Sequence, residues 1–575
     1  MKKTNITLCA LFVTCMLWAQ QDSIFERSVM VERDFQPVVE KAKKVNTTPD
    51  ILEAVVDATE PDFSNYNEPM EKAHNITPMG HVDMHFPMPE QKHGFLRVGG
   101  GYIGSMLDFH YTTVNDNQLL FGVRASHLGN WNRKTLSHTS VGLNLNKAFR
   151  KMELFFDADA TEIFFVRYGR YFNYTNQNKR TGEFVGIKKF SDYLSEDKGN
   201  HWEVNSHIGI RSAGKSPWKY YVQTGYEGFV IGKKQAEHMI NSNVGVAWES
   251  KNHHVGLDVN LVDHFFTADM DGFEFSDFYI SRGDTVAESH HTLKIRPYYE
   301  LLLKRFTLHL GVNLDMSFNK GKVFQPSPNV SFEWLIAPEW VTLFGHATGD
   351  YQVISVRDHF RFNRYLYAQN ELASSSSRTY NLIDAMLGLK LHPHTDLLLS
   401  VFAGYNYTKD DVFYVPDTKG YTTLVGFNHT HWTVGMNLNY HYQDIVKLSF
   451  NAFYNLWNML KTNGVDAYKD YGLGNWQVLD RPAWGIDLRL DYNINQKWSL
   501  YSDNHFAGGR HFLDLNMQAV KARPLIDLNL GAQYAVRKNI SLFLQLNNFI
   551  NWKADIFYAY QTQGINGMIG LNWVF

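Results

Sequence analysis

The sequence predicts an all-β protein: a transmembrane antiparallel β-barrel of about 22 strands, give or take about two, behind a short periplasmic N-terminal segment. Three observations support this prediction. Aromatic residues make up 15% of the chain. Apolar and polar residues alternate from about residue 94 to the end. No apolar run after the N-terminus reaches the roughly 18 residues that a membrane helix needs.

The first twenty residues (1–20) have the pattern of a secretory signal peptide. Two lysines precede a short apolar core, and the small-residue step "LWAQ" follows it. We expect cleavage after Ala19 or Gln20. Both cysteines of the sequence, Cys9 and Cys15, lie in this segment, so the mature chain is expected to have no disulfide and no thiolate site. Export fits a location in the cell outer membrane.

Residues 21–90 differ from the rest because they are charged, contain proline and show little alternation. We interpret them as a periplasmic segment that serves as a flexible tether, a partial plug or a docking peptide. The string "SVMVE" is β-prone and could add to the sheet edge of a partner protein. Its residues are Ser28, Val29, Met30, Val31 and Glu32.

Residues 91–575 carry the predicted barrel, and its alternation is clearest near the C-terminus. Between Trp484 and Tyr492 every second residue is apolar, while Asp487, Arg489 and Asp491 occupy the other face. In a soluble sandwich the apolar face would meet a second sheet. In a barrel it meets lipid, and the three charges face a wet lumen.

The connections between the predicted strands alternate between short and long. Turns such as "FRK" at 149–151 and "RKN" at 537–539 contrast with connections such as 456–482. Short periplasmic turns and long outer loops are typical of outer-membrane barrels. This asymmetry predicts an even strand number with both ends in the periplasm.

The last strand is predicted to close the barrel by pairing with the first, because a sheet edge left in hydrocarbon would have unsatisfied backbone groups. Ile569, Leu571, Trp573 and Phe575 alternate with small and polar residues and are predicted to face lipid. A last strand that ends in an aromatic residue also resembles the signal that the outer-membrane insertion machinery recognises.

About the last 55 residues contain "NNFIN" at Asn547–Asn551 and a glycine motif at Gly564–Asn566. This stretch resembles the closing strands of TonB-dependent receptors. The first string corresponds to that family's Asn-Asn-aliphatic-aromatic-Asn motif with the aromatic and aliphatic residues exchanged, and Ile565 stands where many members have arginine. The resemblance implies uptake across the outer membrane and possible contact with a periplasmic energy-transducing protein. About 70 mature residues before the barrel are too few for the family's plug, so the chain resembles a plug-lacking relative. Inward-folded loops together with the N-terminal segment, another protein or a smaller barrel would then explain how the lumen is closed.

Composition and motifs exclude several other functions. The chain has 55 basic and 58 acidic residues, so nucleic acid is not an expected partner. No nucleophile or metalloprotease motif is present, and neither enzymatic activity nor a cofactor is predicted. Asp269, Asp271 and Glu274 are candidate ligands in a calcium loop, with a solvated acidic loop as the alternative.

Two aromatic loops, "FFVRYGRYFNY" at 164–174 and "RFNRYLYAQN" at 361–370, could stack on a ligand or simply anchor the rim. The sequence therefore predicts solute uptake or permeation by a receptor-like barrel. The alternative is a non-transporting barrel that scaffolds an outer-membrane or surface complex. Expected partners are outer-membrane lipid and the insertion machinery, with an energy-transducing protein or a lipoprotein as further candidates.

Overall fold

A computed structural model of the chain describes residues 93–102, 104–113, 119–131, 135–168, 170–172, 187–189, 198–231, 235–268, 289–319, 322–338, 340–366, 377–416, 422–514 and 516–575. The predicted signal peptide and the segment 21–90, with Ser28–Glu32, lie outside these residues. The prediction that the chain lacks a plug concerns these residues, which are outside the described ranges.

Twenty-two strands of the described residues form one closed antiparallel sheet, as the alternation predicts. Each strand pairs with its neighbours in the sequence, and the first pairs with the last. The strands are β1 (Gly94–Gly101), β2 (Gly104–Thr113), β3 (Leu119–Asn130), β4 (Leu136–Ala148), β5 (Met152–Val166), β6 (Lys198–Ser212), β7 (Trp218–Ile231), β8 (Gln235–Glu249), β9 (His253–Ala268), β10 (His290–Leu303), β11 (Phe306–Phe318), β12 (Phe324–Ala337), β13 (Val341–Ile354), β14 (Ser377–His394), β15 (Leu397–Pro416), β16 (Thr422–Tyr442), β17 (Val446–Leu460), β18 (Trp484–Asn493), β19 (Trp498–Gly508), β20 (Leu525–Arg537), β21 (Ile540–Asn547) and β22 (Asn566–Val574).

The pairing of β1 with β22 closes the barrel. Their register runs from Phe95 opposite Val574 to Gly101 opposite Met568. The carbonyl of Phe575 accepts hydrogen bonds from the backbone N–H groups of two residues at the start of β1, at 2.8 and 2.9 Å. The last residues are thus part of the sheet, and the smaller barrel considered from the sequence is excluded.

Side chains alternate between the outer face and the lumen along each strand. In β6, Trp202, Val204 and Ile208 are exposed on the outer face, whereas His201 and Glu203 point inward and are buried. An exposed apolar stripe on the outside of a closed sheet is the surface that lipid covers. The two ends of the barrel are called here the short-turn rim, where both chain ends of the sheet lie, and the long-loop rim.

Many strand glycines lie directly opposite an aromatic ring on the neighbouring strand. Gly435 is in register with Phe402, and Gly485 with Phe453. A methyl group on Gly435 would lie 2.2 Å from the ring of Phe402, which is far inside van der Waals contact. Because glycine has no side chain, the aromatic ring of the neighbouring strand can lie over it. The many glycines of the chain thus make room for its many aromatic residues.

The long connections contain short helices and hairpins that the alternation does not predict. Helix α1 spans Val356–Phe362 and helix α2 spans Ala467–Asp470. Three small hairpins pair Arg170–Phe172 with Ile187–Lys189, His511–Leu513 with Ala519–Lys521, and Asp555–Phe557 with Tyr560–Gln561. Within the described ranges, neither helix has the length or the apolar character needed to cross a membrane.

Candidate functional site

Charged side chains on the lumen wall are paired with one another. Arg124 donates to both carboxylate oxygens of Asp157 at 2.8 and 2.7 Å. Arg211 likewise donates two hydrogen bonds to the carboxylate of Glu153, at 2.8 and 3.0 Å. Bidentate pairs of this kind are the stronger form of the arginine–carboxylate contact. At these two places the wall is polar and its charges are balanced locally.

The three charges predicted to face the lumen are divided between two contacts. Arg489 donates from Nε to Asp491 at 3.0 Å. Asp487 instead lies 2.8 Å from Nδ1 of His505 on β19, and that histidine is also 3.4 Å from Asp503. In the sequence Arg489 lies between two aspartates. In the structure Arg489 pairs with Asp491, and Asp487 contacts His505.

Helix α1 begins directly where β13 ends. Ser355 caps it: the backbone N–H of Asp358 donates to Ser355 Oγ at 3.0 Å, and the N–H of Ser355 donates to the Asp358 carboxylate at 3.2 Å. This reciprocal capping box stabilises a helix of only seven residues. Val356, Arg357, His359 and Phe360 are all buried, so the helix lies inside the mouth of the barrel and not on its surface.

Three glutamates on the inner face of β6, β7 and β8 bind α1. Glu237 accepts the backbone N–H groups of Val356 and Arg357 at 3.2 and 2.9 Å. The guanidinium of Arg357 pairs with Glu227 and donates to Asn205 at 2.8 Å. These wall strands lie five to seven strands away from β13, so the helix crosses part of the lumen to reach them.

The third glutamate binds the other arginine of α1. Arg361 donates from Nε to Glu203 at 2.9 Å. The side chains of Glu203 and Glu227 are only 1% and 7% exposed, although they belong to the lumen wall. The helix covers them, and each carboxylate is bound by a guanidinium of α1.

Three tyrosines from different loops meet beside α1. Tyr168 follows β5, Tyr365 follows α1, and Tyr560 belongs to the connection between β21 and β22. The rings of Tyr365 and Tyr560 stack with centroids 3.9 Å apart, and the Tyr168 ring contacts both at 5.5–5.6 Å. The Tyr168 hydroxyl donates to the carbonyl of Gln561 at 2.6 Å.

These loops leave the barrel after its fifth, thirteenth and twenty-first strands, so they start far apart on the long-loop rim. Their meeting point must therefore lie over the lumen. Phe165, Phe360, Leu366 and Phe557 surround it in one buried apolar cluster. We call the residues that meet there, Tyr168, Val356–Leu366 and Phe557–Tyr560, the diaphragm.

A second buried cluster supports the diaphragm from one side. The pair β15 and β16 extends past a bulge between Thr408 and Asp411, and beyond it both faces of the pair are buried. One face, with Tyr414, packs on the diaphragm. The other, with Phe413 and Phe427, packs on the connection between β17 and β18.

Buried charges connect this second cluster to the surrounding loops. Asp411 lies 2.5 Å from Arg481 and 2.7 Å from Nε2 of His429. In the loop beside it, burial raises the pKa of Asp480 to about 7, although Arg510 and Arg481 oppose the shift. The connection from β17 to β18 is thus held by ion pairs as well as by apolar packing.

The remaining predicted site residues are placed as follows. In β22, Ile569 and Trp573 are 63% and 41% exposed, and Asn572 between them is buried. Asp269, Asp271 and Glu274 lie outside the described residues. Among the residues described, no three histidine, cysteine or acidic side chains form a group suited to a metal ion.

Sequence reasoning missed the three wall glutamates, the arginines of α1 that they bind, and Tyr560. It singled out the loops that carry Tyr168 and Tyr365 as aromatic, with a ligand or the membrane rim as the partner. The structure shows that these two tyrosines contact each other and Tyr560. One available signal was Glu203, a lone acidic residue on the inward face between Trp202 and Val204.

The overall fold is similar to that of solved siderophore receptors. These include the ferric enterobactin receptor PfeA of Pseudomonas aeruginosa (14% identity, TM-score 0.60, covering 85% of this chain and 81% of that chain). The siderophore receptor PirA of Acinetobacter baumannii gives 11% identity, a TM-score of 0.61 and coverage of 85% and 81%. The ferric-catecholate import receptor Fiu of E. coli K12 gives 10%, 0.60, 85% and 82%.

At these identities the similarity establishes the fold. The chain has a closed 22-stranded barrel whose fold is similar to that of these siderophore receptors. No protein-family profile matches the chain. No curated protein matches its sequence.

Proposed function

We propose that this chain is an outer-membrane barrel for solute uptake, and that its diaphragm keeps the outer mouth closed at rest. In this orientation the short-turn rim faces the periplasm and the long-loop rim faces the outside, as in other outer-membrane barrels. The observation that carries the proposal is the contact of Tyr168, Tyr365 and Tyr560 over a polar lumen.

A polar lumen supports passage of a hydrated solute more than it supports a purely structural barrel. Paired charges such as Arg124 with Asp157 line the wall. A wall that served only as a scaffold could be filled with apolar side chains, as the interiors of small barrels are. Uptake is therefore favoured over the scaffolding alternative, and no catalytic role is proposed.

The fold suggests the first class of solute to test. The similar solved structures are receptors for siderophores, among them ferric enterobactin. A bulky solute of that class would require the diaphragm to move. Contact between Ser28–Glu32 and a periplasmic energy-transducing protein, and a lipoprotein partner, stay predictions from the sequence.

The experiment is solute entry into proteoliposomes, with raffinose as the probe. Liposomes with the full chain are compared with liposomes that carry Tyr560→Ala, which removes the ring at the centre of the diaphragm. We expect slow swelling for the wild type and clearly faster swelling for the variant. Two folded proteins that both exclude raffinose would contradict a path through the lumen and favour the scaffold.

A further inference from the structure

Two kinds of contact hold helix α1. Val356 and Phe360 pack into the apolar cluster with Tyr365 and Tyr560, and the Phe360 ring also contacts His201 and Phe229 of the wall, with ring centroids 4.7 and 5.9 Å apart. Glu203, Glu227 and Glu237 of the wall bind the arginines of the helix and its first backbone N–H groups. Polar contacts can be exchanged for water, whereas an apolar cluster separates only with loss of burial.

We propose that Glu203, Glu227 and Glu237 act as a latch that holds α1 against the wall, and that release of this latch opens the mouth of the barrel. A carboxylate on a wet wall needs no protein partner, because water solvates it. With α1 in place these three side chains are 1–7% exposed, and Glu237 also lies 3.6 Å from Nδ1 of His264. Releasing α1 uncovers the carboxylates, so opening lowers the desolvation cost that closure imposes.

The geometry of the latch explains why it holds one position. Arg357 reaches two strands at once, with Glu227 on β7 and Asn205 on β6. Glu237 binds backbone groups, so its contact depends on where the helix lies and not on a side chain of α1. A guanidinium has a planar set of donors that a lysine lacks. The latch therefore fixes both the place and the rotation of α1.

The test measures the accessibility of α1 directly. Val356→Cys places a thiol of similar size at a residue that is 4% exposed, in a chain whose native cysteines, Cys9 and Cys15, lie in the predicted signal peptide. A membrane-impermeant maleimide then reports how often this site is exposed. The readout is the labelling rate of the full chain in detergent micelles and in liposomes.

The latch variant is Glu203→Gln with Glu227→Gln, which keeps side-chain size and removes the wall carboxylates that the guanidiniums of Arg361 and Arg357 bind. We expect labelling at Val356→Cys to become at least about tenfold faster, because a buried charge without its partner is strongly unfavourable. Arg357→Lys keeps the charge but not the planar donors and should give a smaller increase.

The matched control is Glu153→Gln, which removes the carboxylate that Arg211 binds near the short-turn rim. Its labelling rate should stay within about twofold of the parent, since it does not contact α1. Folding of every variant is checked by the heat-dependent gel mobility of the barrel. Folded latch variants that label at the parent rate, or a control that labels as fast as they do, would overturn the inference.

The latch rests on the proposed function only in its second part, that opening of the mouth lets solute through. A second readout tests the latch and the uptake path separately. Raffinose entry is measured for the same variants in proteoliposomes. Faster labelling with faster swelling supports both the latch and the uptake path. Faster labelling without swelling supports the latch and contradicts the uptake path, whereas unchanged labelling contradicts the latch.

Discussion

The strand wall and the diaphragm enclose the same lumen but are held together by different contacts. In the wall each strand bonds to its neighbours in the sequence, and pairs such as Phe453 and Gly485 face each other in register. In the diaphragm, Tyr168 contacts Tyr365 across 197 positions and Gln561 across 393. The wall thus follows from a local pattern, whereas the diaphragm depends on contacts between distant loops, and the two should respond to different substitutions.

The largest expected effect comes from a substitution that disrupts the diaphragm and leaves the strand wall intact. Tyr560→Ala removes a ring that is 1% exposed and should destabilise the closed diaphragm by about 3–5 kcal/mol, as large-to-small changes in a packed core do. Hydrogen exchange checks this. The N–H of Asn363, which donates to His359, should lose protection while strand amides keep theirs.

The matched control for that prediction is Tyr102→Ala, a tyrosine that is 90% exposed. It removes the same atoms where they bury little, so the protection of Asn363 should not change. Equal loss of protection in both variants, or loss spread over the wall strands, would mean that the diaphragm is not a separate packing unit.

The next largest effect comes from a substitution that destabilises the strand wall and leaves the diaphragm unchanged. Val244 lies in the middle of β8 on the outer face and is 46% exposed. Val244→Arg should cost about 2–4 kcal/mol, the cost of a charge near the middle of the bilayer. Urea titration of the protein in lipid vesicles measures it.

Asn243 is the adjacent residue on the lumen side, where it donates to Asn241 at 3.1 Å and accepts from Asn260 at 2.7 Å. Asn243→Arg loses those two contacts, but its charge stays in the polar lumen, so the variant should be clearly more stable than Val244→Arg. The reverse order of stability would show that the two faces are wrongly assigned.

A smaller effect tests the packing within the wall. A methyl group at Gly485 would lie 2.4 Å from the ring of Phe453, so Gly485→Ala should destabilise the barrel by about 1–3 kcal/mol through overpacking. Gly100 has no atom within 4 Å of the corresponding position, and Gly100→Ala is the control. Adding Phe453→Leu should recover part of the loss, and a strictly additive double variant would argue against the contact.

The smallest effect concerns pH in the loops beside the diaphragm. The pKa of Asp480 is raised from 3.8 to about 7, so its protonated form favours the folded loop. This contribution is complete below about pH 4, declines as the pH rises, and is lost above about pH 7. Between about pH 6 and pH 8 the folded loop should lose about 1 kcal/mol.

Asp480→Asn removes the titrating group and should abolish this pH dependence. The measurement is the hydrogen-exchange protection of the connection between β17 and β18, corrected for intrinsic exchange. A wild-type loop that becomes more protected as the pH rises through 7 would contradict the assigned direction.

The sequence predicted the wall well because its signal has a period of two. Ile486, Leu488 and Leu490 alternate with charged residues, and β18 lies where that alternation indicates. The same reasoning could not find the diaphragm, since neither Glu227 nor Arg357 has a distinctive neighbourhood in the sequence. Their relation appears only when β7 and the connection after β13 come together across the lumen.

The central claim is that the chain's own loops close a wide polar barrel, and single-channel conductance in planar bilayers tests it most directly. The full chain is compared with the double variant Glu203→Gln and Glu227→Gln. We expect the wild type to stay closed apart from brief openings, and the variant to open more often and to a large conductance. A wild type with a stable, wide-open conductance equal to that of the variant would contradict the claim.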